Sequence, residues 1–404
     1  MKLQGALFFS SALASIFFVH AAAGWAATEK VLACFNGIDG ETPKSAPTAL
    51  GKNLYGTTYS GGSGEAGVVY TVDLRNDLLG IVYKFSGPDG QSPGGRLTAS
   101  DGILYGTTQA GGGGNCDSGC GTVFALDPKS GAETVLHAFR SNSRDGLFPS
   151  AGMMEAGGTL YGTTQYGGRG NCSGLPGCGT VFSVDPANGD ETVLHSFEND
   201  GKDGLYPVAG LIRVNGTLYG TTQNGGTGSC DGVAPGCGTV FAIDLKTGTE
   251  TVLYSFGSRS RDGLYPEGGL IAMNGTLYGT TLTGGTADSG TVYAFDSNTG
   301  KETVLHSFCR KEQCVDGSFP AGDLVAANGE LYGTTEYGGM GLCTDGCGAV
   351  FAIEASTGAA KVLYSFAGNG VYPEGGLADA NGALLGTTSQ GGCENKGTVF
   401  SIKP

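Results

Sequence analysis

The side chains that could serve as general bases, partners of a nucleophile or metal ligands recur in one register of the sequence. In the pattern Val-Leu-His-x-Phe this register holds His137, His195 and His306, and elsewhere it holds Tyr83, Tyr254 and Tyr364. Residues that repeat in one register belong to different repeat units, so we expect these histidines not to converge. We predict no Ser–His–Asp or Cys–His arrangement and no catalytic residues.

A second repeated pattern, Asp or Asn followed by Gly, raises the question of calcium. It occurs at Asp39, Asp89, Asp145, Asp203, Asp262, Asp316 and Asn369. Carboxylates suit calcium, but no loop has the dense oxygen spacing of an EF-hand, and Asx-Gly is common turn chemistry. We therefore predict turns, with no metal site and no cofactor. Calcium binding by these loops is the alternative.

Two carboxylates that depart from the repeat are Glu267 and Glu374, each of which follows an aromatic-Pro pair. A pair of carboxylates is the usual equipment of a glycoside hydrolase. These two lie two repeat units apart, so we expect them to be too distant to act together.

The aromatic-Pro pairs are themselves candidates for ligand binding. The series is Phe148-Pro149, Tyr206-Pro207, Tyr265-Pro266, Phe319-Pro320 and Tyr372-Pro373, with Thr42 and Ser92 in the two units that lack it. Neighbouring loops add Tyr59, Tyr166 and Tyr337. Aromatic rings around a mouth could stack on sugars. The alternative is that each ring packs on its own proline and seals a junction between units.

All of these residues belong to a sequence unit that is repeated seven times. Its signature, Tyr-Gly-Thr-Thr, begins at Tyr55, Tyr105, Tyr161, Tyr219, Tyr278 and Tyr332, with Leu-Leu-Gly-Thr-Thr at 384–388 as the last copy. Each unit holds four short β-type runs separated by turns, as in GLIRV, TLYGTT, GTVFAID and TVLYSF of the fourth copy. Four strands in each period of 50–59 residues predict an all-β, seven-bladed propeller of antiparallel sheets.

The strand count at the two ends predicts how the ring closes. The run KVLACF at 30–35 is a fourth strand with no blade before it, and the last unit has three strands. The N-terminal strand should complete that blade and remove exposed sheet edges. The predicted blades, in one domain of residues 27–404, are 45–85, 94–139, 150–197, 208–256, 267–308, 321–366 and 374–402 plus 30–35.

The whole unit, GGL…NGTLYGTT…GG…GTVFAID..TG.ETVLHSF, resembles the GloVer tandem-repeat proteins over nearly all of residues 27–404. The resemblance implies a secreted, propeller-like repeat protein and brings no activity with it. A weaker similarity to quinoprotein-type propeller repeats rests on the Asp…Thr-Gly hairpin. Those repeats use a docking tryptophan in each blade, whereas the one tryptophan here is Trp25.

Twelve cysteines predict disulfides in an exported chain. Close pairs are Cys116 with Cys120, Cys172 with Cys178, Cys230 with Cys237, Cys309 with Cys314 and Cys343 with Cys347. Cys34, on the N-terminal strand, and Cys393, beside the last strand, are expected to bond and staple the ring. Zinc is the rival, but these pairs lack nearby histidines and lie in separate blades.

The N-terminus has the pattern of a secretory signal: Lys2, an apolar run from Leu3 to Val19, then small residues. We predict a signal peptide of residues 1–26, cleaved between Ala23 and Ala27. We expect a secreted, extracellular or periplasmic protein with no membrane anchor after cleavage. A net charge of −15 argues against nucleic acid as a partner, because phosphate backbones would be repelled.

These observations favour a binding or scaffold protein that recognises an extracellular glycan or a cell-surface protein. Loops between second and third strands, and loops between blades, should emerge on one face, and variable loops on a rigid scaffold commonly bind. One alternative is a propeller-type polysaccharide hydrolase or lyase, which would need His, Arg and acid groups converging at the mouth. Another is a purely structural extracellular protein.

Overall fold

The third strand of each blade is buried along almost its whole length. In the second blade Thr122, Val123, Phe124 and Leu126 are buried. The Phe124 ring lies directly over Gly106 of the second strand, where an added Cβ would sit 2.6 Å from the ring. The glycine in Tyr-Gly-Thr-Thr is therefore needed for this close approach, because any side chain would displace the ring.

The computed structural model describes residues 27–404 except 143, 173, 175, 231–235 and 311. The predicted signal peptide lies outside the described residues. The described chain forms seven four-stranded antiparallel sheets, the blades, which confirms the predicted fold class. No helix in this part of the chain is long and apolar enough to cross a bilayer.

The strands of the first three blades run outward from the centre in chain order, after the N-terminal strand β1 (Thr28–Cys34). Blade 1 has β2 (Thr48–Leu50), β3 (Asn53–Thr58), β4 (Val68–Asp73) and β5 (Leu78–Lys84). Blade 2 has β6 (Thr98–Ser100), β7 (Ile103–Thr108), β8 (Thr122–Leu126) and β9 (Glu133–Ala138). A ladder of β10 (Gly146–Leu147) with β13 (Tyr166–Gly167) accompanies blade 3, which has β11 (Met154–Ala156), β12 (Thr159–Thr164), β14 (Thr180–Val184) and β15 (Glu191–Ser196).

The remaining blades repeat this arrangement. The ladder of β16 (Gly204–Leu205) with β19 (Asn224–Gly225) accompanies blade 4, which has β17 (Ile212–Val214), β18 (Thr217–Thr222), β20 (Thr239–Asp244) and β21 (Glu250–Ser255). The ladder of β22 (Gly263–Leu264) with β25 (Thr283–Gly284) accompanies blade 5, which has β23 (Ile271–Met273), β24 (Thr276–Thr281), β26 (Thr291–Asp296) and β27 (Lys301–Ser307). A 3₁₀ turn, Glu312–Cys314, precedes blade 6, which has β28 (Val325–Ala327), β29 (Glu330–Thr335), β30 (Ala349–Glu354) and β31 (Ala360–Ser365). Blade 7 has β32 (Ala378–Ala380), β33 (Ala383–Thr388), β34 (Thr398–Lys403) and β1.

The two repeated threonines join the strands and the blades near the centre. Thr108 Oγ1 and Thr122 Oγ1 lie 2.8 Å apart on the second and third strands. Thr107 Oγ1 donates a hydrogen bond to the Ala151 carbonyl of the next blade, also at 2.8 Å. The equivalent donors in other blades are Thr57, Thr163, Thr280, Thr334 and Thr387. The threonines thus hold neighbouring blades together with buried hydrogen bonds.

The ring closes as the strand count predicts. Strand β1 pairs antiparallel with β34, and Val31 lies opposite Phe400. Cys34 and Cys393, separated by 359 residues, form a disulfide across this last blade. The five predicted close pairs are also bonded, and the described chain has no free cysteine. Six disulfides are typical of proteins from an oxidising compartment, extracellular or periplasmic.

Candidate functional site at the channel mouth

The segments before the first strands of all seven blades, with the first strands of blades 1 to 4, line a central channel that holds a cavity of about 550 Å³. One register of the wall holds alanine or glycine except at Arg96 and Asp323. Burial lowers the pKa of Arg96, and the charge of Asp323 opposes that shift. The Asp323 carboxylate accepts a hydrogen bond from the Gly269 amide at 2.6 Å. A cation and an anion therefore interrupt a ring of small residues.

The channel opens into a mouth on the loop face, which is the face that carries the loops from second to third strands and from blade to blade. The mouth is a cavity of about 490 Å³. Its charged and polar residues are Lys44, Tyr59, Gln109, Ser150, Gln165, Gln223, Glu267, Glu336 and Glu374. Lys44, Glu267 and Glu374 line both cavities, so the mouth and the channel are continuous.

The carboxylates of the mouth do not share one environment. Burial raises the pKa of Glu267, the Gln223 amide that donates to it opposes the shift, and the charges of Glu336 and Glu374 add to it. Burial also raises the pKa of Glu336, against a hydrogen bond from Tyr337. Glu374 instead contacts a cation, since its Oε2 lies 3.4 Å from Lys44 Nζ. The mouth is therefore acidic and contains both ion-paired and desolvated carboxylates.

Blade 1 lacks the aromatic-Pro pair, and there Lys44 makes a cation–π contact with Tyr59. The Lys44 ammonium lies 4.7 Å from the centroid of the Tyr59 ring. The Tyr59 hydroxyl donates to Gln109 Oε1 at 2.8 Å. These contacts fix a cation and an amide at the edge of the mouth.

Six of the predicted aromatic residues gather into two clusters, which we call the aromatic trios. Their rings do not line the mouth cavity, but Tyr166 and Tyr337 directly follow its lining residues Gln165 and Glu336. In the first, the Tyr166 ring lies 6.0 Å from Phe148 and 5.3 Å from Tyr206. In the second, the Tyr337 ring lies 5.9 Å from Phe319 and 5.4 Å from Tyr372. All six rings are half-buried, and Tyr265 belongs to neither trio. Each trio spans two adjacent blades.

The residues that precede the prolines share a backbone constraint. Phe148, Tyr206 and Tyr372 have φ of 57°, 58° and 60°, in the left-handed region, as do Thr42 and Ser92 at 56°. The prolines pack against glycines of the preceding blade; an added Cβ at Gly179, for example, would lie 2.4 Å from Pro207 Cδ. The prolines therefore seal the blade junctions, and the rings remain partly exposed.

The repeated histidines lie on the outer strands and contact the aspartates of the Asp-Gly turns. His195 Nε2 lies 3.2 Å from Asp203, and His306 Nε2 lies 3.2 Å from Asp316. Tyr83 and Tyr254 replace histidine in two blades and donate to the corresponding aspartates, Asp89 at 2.5 Å and Asp262 at 2.7 Å. In the sixth blade, Tyr364 donates to Glu29 instead. The histidines are therefore placed at the rim, between blades, and do not line the described mouth.

Glutamates of the next blade approach these rim pairs. They are Glu133, Glu191 and Glu250, at the starts of β9, β15 and β21. Burial and a neighbouring aspartate raise the pKa of each from 4.5 to about 7. Each of these three seams thus joins a His or Tyr and an Asp from one blade to a Glu from the next.

Sequence reasoning singled out the aromatic residues of the trios, Glu267 and Glu374, but missed the other polar side chains of the two cavities. These are Lys44, Gln109, Gln165, Gln223 and Glu336 at the mouth, and Arg96 and Asp323 in the channel. The expectation that Glu267 and Glu374 are too far apart to act together stays untested. Both line the mouth cavity, which Glu336 also lines. Arg96 and Asp323 had a signal, since the other copies carry alanine or glycine in their register.

The repeat itself decides the family. A family model described as Gloeobacter/Verrucomicrobia repeat matches residues 10–234 and 229–404. The chain belongs to this family. The match confirms the resemblance to the GloVer proteins, and no curated protein matches this Gloeobacter/Verrucomicrobia repeat chain.

Solved structures similar to this Gloeobacter/Verrucomicrobia repeat protein are propellers at low sequence identity. An oligogalacturonate lyase in complex with manganese has a TM-score of 0.54 and 12% identity, covering 90% of this chain and 89% of its own. An oligogalacturonate lyase from Vibrio parahaemolyticus has a TM-score of 0.53 and 9% identity, covering 93% of each chain. At such identities these likenesses show the fold alone.

Proposed function

We propose that this protein is an exported saccharide-binding propeller that holds its ligand at the channel mouth. The observation that carries the proposal is the position of the two aromatic trios beside a cavity lined by carboxylates and amides. The six disulfides support export to an oxidising compartment.

The chemistry of the mouth suits sugars better than an apolar ligand. Half-buried rings offer flat apolar faces for the C–H face of a pyranose, while the amides of Gln109, Gln165 and Gln223 can donate to and accept from hydroxyls. The rings are held by contacts across blades, as between Tyr166 and Tyr206. Little conformational freedom would be lost when a sugar binds to such preorganised rings.

The charges of the mouth narrow the class of saccharide. Glu267, Glu336 and Glu374 outnumber Lys44, so a uronate chain would meet repulsion. A neutral or amino sugar would not, and an ammonium group could pair with Glu336. We therefore propose a neutral or amino-sugar-containing glycan as the ligand.

Hydrolysis of the bound glycan is the second candidate function. Burial raises the pKa of Glu267, as a general acid requires, while Glu374 Oε2 lies 3.4 Å from Lys44 Nζ and would be the base or nucleophile. If the mouth hydrolyses glycans, Glu267→Gln and Glu374→Gln should each abolish turnover while leaving binding intact. Binding without turnover on a panel of neutral polysaccharides would leave the binding function alone.

The test is retention on immobilised polysaccharides by the full chain and its ring variants. Tyr166→Ala and Tyr337→Ala each remove the central ring of one trio, and we expect each to weaken retention about tenfold or more, because stacked rings contribute about 1–3 kcal/mol in comparable sites. Tyr161→Ala is the matched control. It removes a half-buried ring of the same blade as Tyr166, from the second strand.

Equal retention by Tyr166→Ala, Tyr337→Ala and the wild type would remove the mouth as the saccharide site. Absence of retention on every neutral and amino-sugar polymer would favour a protein partner or a purely structural role.

A further inference from the structure

Two rim seams bring a histidine and two carboxylates together across adjacent blades. The first consists of His137, Asp145 and Glu191, and the second of His195, Asp203 and Glu250. Within each group the candidate ligand atoms all lie within 4.8 Å of one another. Donor atoms bound to one Zn²⁺ at about 2.0–2.2 Å lie about 3–4 Å apart, so small side-chain shifts would bring all three onto one ion.

The side chains of these seams are already oriented by their surroundings. The Asp145 carboxylate accepts a hydrogen bond from the Arg140 amide at 3.0 Å, which leaves its other oxygen facing His137. The His137 ring packs edge-on against the buried Phe139 at 4.7 Å. Contacts of this kind behind the ligands fix their geometry in metal sites.

The second seam is held in the same way. Asp203 accepts hydrogen bonds from the amides of Glu198 and Gly204, at 3.0 and 2.7 Å. The His195 ring packs edge-on against Phe197 at 4.7 Å. The two groups therefore present the same three ligand types, and in each the aspartate is held by backbone amides and the histidine by a buried phenylalanine.

One carboxylate oxygen in each seam lacks a partner. Glu191 Oε1 and Glu250 Oε1 are buried and accept no hydrogen bond from any described residue. A buried oxygen without a donor is costly, and a bound cation would satisfy it. Glu133 Oε1, in the tyrosine seam of blade 1, lacks a partner too, so this oxygen can complete a metal site only where a histidine supplies the imidazole ligand.

We propose that each of these two seams binds one divalent transition-metal ion, with Zn²⁺ as the fitting probe. An imidazole nitrogen with two carboxylate oxygens suits zinc and not calcium, which takes oxygen ligands. Beside the second seam, a cavity of about 410 Å³ lined by His195, Asp203 and Asp200 gives the ion a path from solvent; Arg144 and Arg169 also line it. Such an ion would join blade 2 to blade 3 and blade 3 to blade 4.

The other seams of the same ring are internal controls. Blade 1 has Tyr83 and blade 4 has Tyr254 in place of the histidine. The seam of His306 and Asp316 has Ala360 where the glutamate stands elsewhere. Each of these three seams therefore lacks one of the three metal ligands, either the histidine or the glutamate.

The test is zinc titration of the full chain, which is produced by export and without a metal-binding affinity tag. Bound metal is first removed with a chelator. We expect two ions per chain, and one ion for each of the variants His137→Tyr and His195→Tyr, which reproduce the natural tyrosine seams. His306→Tyr is the matched control and should leave two. Ala360→Glu should add a third ion by completing the ligand set.

Zinc should also raise the melting temperature of the wild type and not that of the double variant His137→Tyr with His195→Tyr. Melting of the metal-free variants checks that each folds. Fewer than one bound ion in the wild type, or an unchanged ion count in both His→Tyr variants, would overturn the proposal.

Discussion

The propeller joins its blades differently at the hub, around the channel, and at the rim. At the hub a threonine hydroxyl donates to a backbone carbonyl of the next blade, as from Thr163 to Ala209 at 2.9 Å. At the rim the joining groups are ionisable: histidine or tyrosine, aspartate and glutamate. The threonine contacts of the hub are thus independent of pH, whereas burial raises the pKa of the rim glutamates.

This difference also explains where the chain varies. Because backbone carbonyls accept the hub hydrogen bonds, the side chains that face the channel do not have to match between blades. Arg96 and Asp323 occupy a register that otherwise holds alanine or glycine, and the register of Glu267 ranges from Gly94 to Lys44. The hub can therefore change its ligand chemistry from blade to blade without loss of closure.

The largest effect is expected from opening the rim where the two ends of the chain meet. The chain-entropy model assigns about 6 kcal/mol to a loop as long as that closed by Cys34 and Cys393, and about 2 kcal/mol to a loop of four residues. We expect Cys34→Ser with Cys393→Ser to lower the guanidinium midpoint far more than Cys116→Ser with Cys120→Ser. Equal shifts of the two midpoints would show that closure at the rim adds little.

The next largest effect is expected at the hub, from a single methyl group. In Gly106→Ala the added Cβ would lie 2.6 Å from Phe124 and 2.9 Å from Leu97. Overpacking of this kind costs about 1–3 kcal/mol. The control is Gly94→Ala, whose Cβ would meet its nearest atom at 3.7 Å. If both variants unfold at the same denaturant concentration, tight packing is not the reason for the repeated glycine.

A pH effect should distinguish the rim from the hub. Burial and the charge of Asp89 raise the pKa of Glu133 from 4.5 to about 7. The folded state then binds this proton more tightly than the unfolded state, so this stabilisation is present at low pH and is lost as pH rises from about 4.5 through 7. Melting temperatures from pH 5 to pH 8 should fall less for Glu133→Gln than for the wild type.

Glu65→Gln, at an exposed glutamate, is the control for the pH series and should keep the wild-type profile. A Glu133→Gln profile parallel to that of the wild type would place the pH dependence elsewhere.

The smallest effect is expected from one hub hydrogen bond. Thr163 and Thr221 are both buried in the same register, but Thr221 Oγ1 has no hydrogen-bond partner among the described residues. Thr163→Val should cost about 1 kcal/mol, and Thr221→Val should be close to neutral. Denaturant unfolding of the two variants measures the difference, and a larger loss for Thr221→Val would refute the hub assignment.

The ring architecture could be predicted because every copy of the repeat contains the same pattern of four short strands. Tyr-Gly-Thr-Thr recurs in register, and the additional β-type run at 30–35 indicated the fourth strand of the last blade. The contacts between blades could not be predicted, because they join positions about 50 residues apart that one unit does not reveal. Tyr83 and Glu133 are an example.

The mouth was only partly predictable for a related reason. Aromatic-Pro pairs stand out in sequence, whereas Lys44 and Glu336 are ordinary charged residues until the ring places them around one cavity. The clustering of Tyr166 with Phe148 and Tyr206 depends on two adjacent blades. The spacing of these residues along the chain does not predict that contact between blades.

The most direct test of the saccharide-binding account is a crystal structure of the protein with the glycan that it retains best. We expect sugar rings against Tyr166 or Tyr337, with hydroxyls hydrogen-bonded to the glutamates and glutamines of the mouth. A sugar bound at the rim or on the opposite face, with the mouth filled by solvent alone, would contradict it.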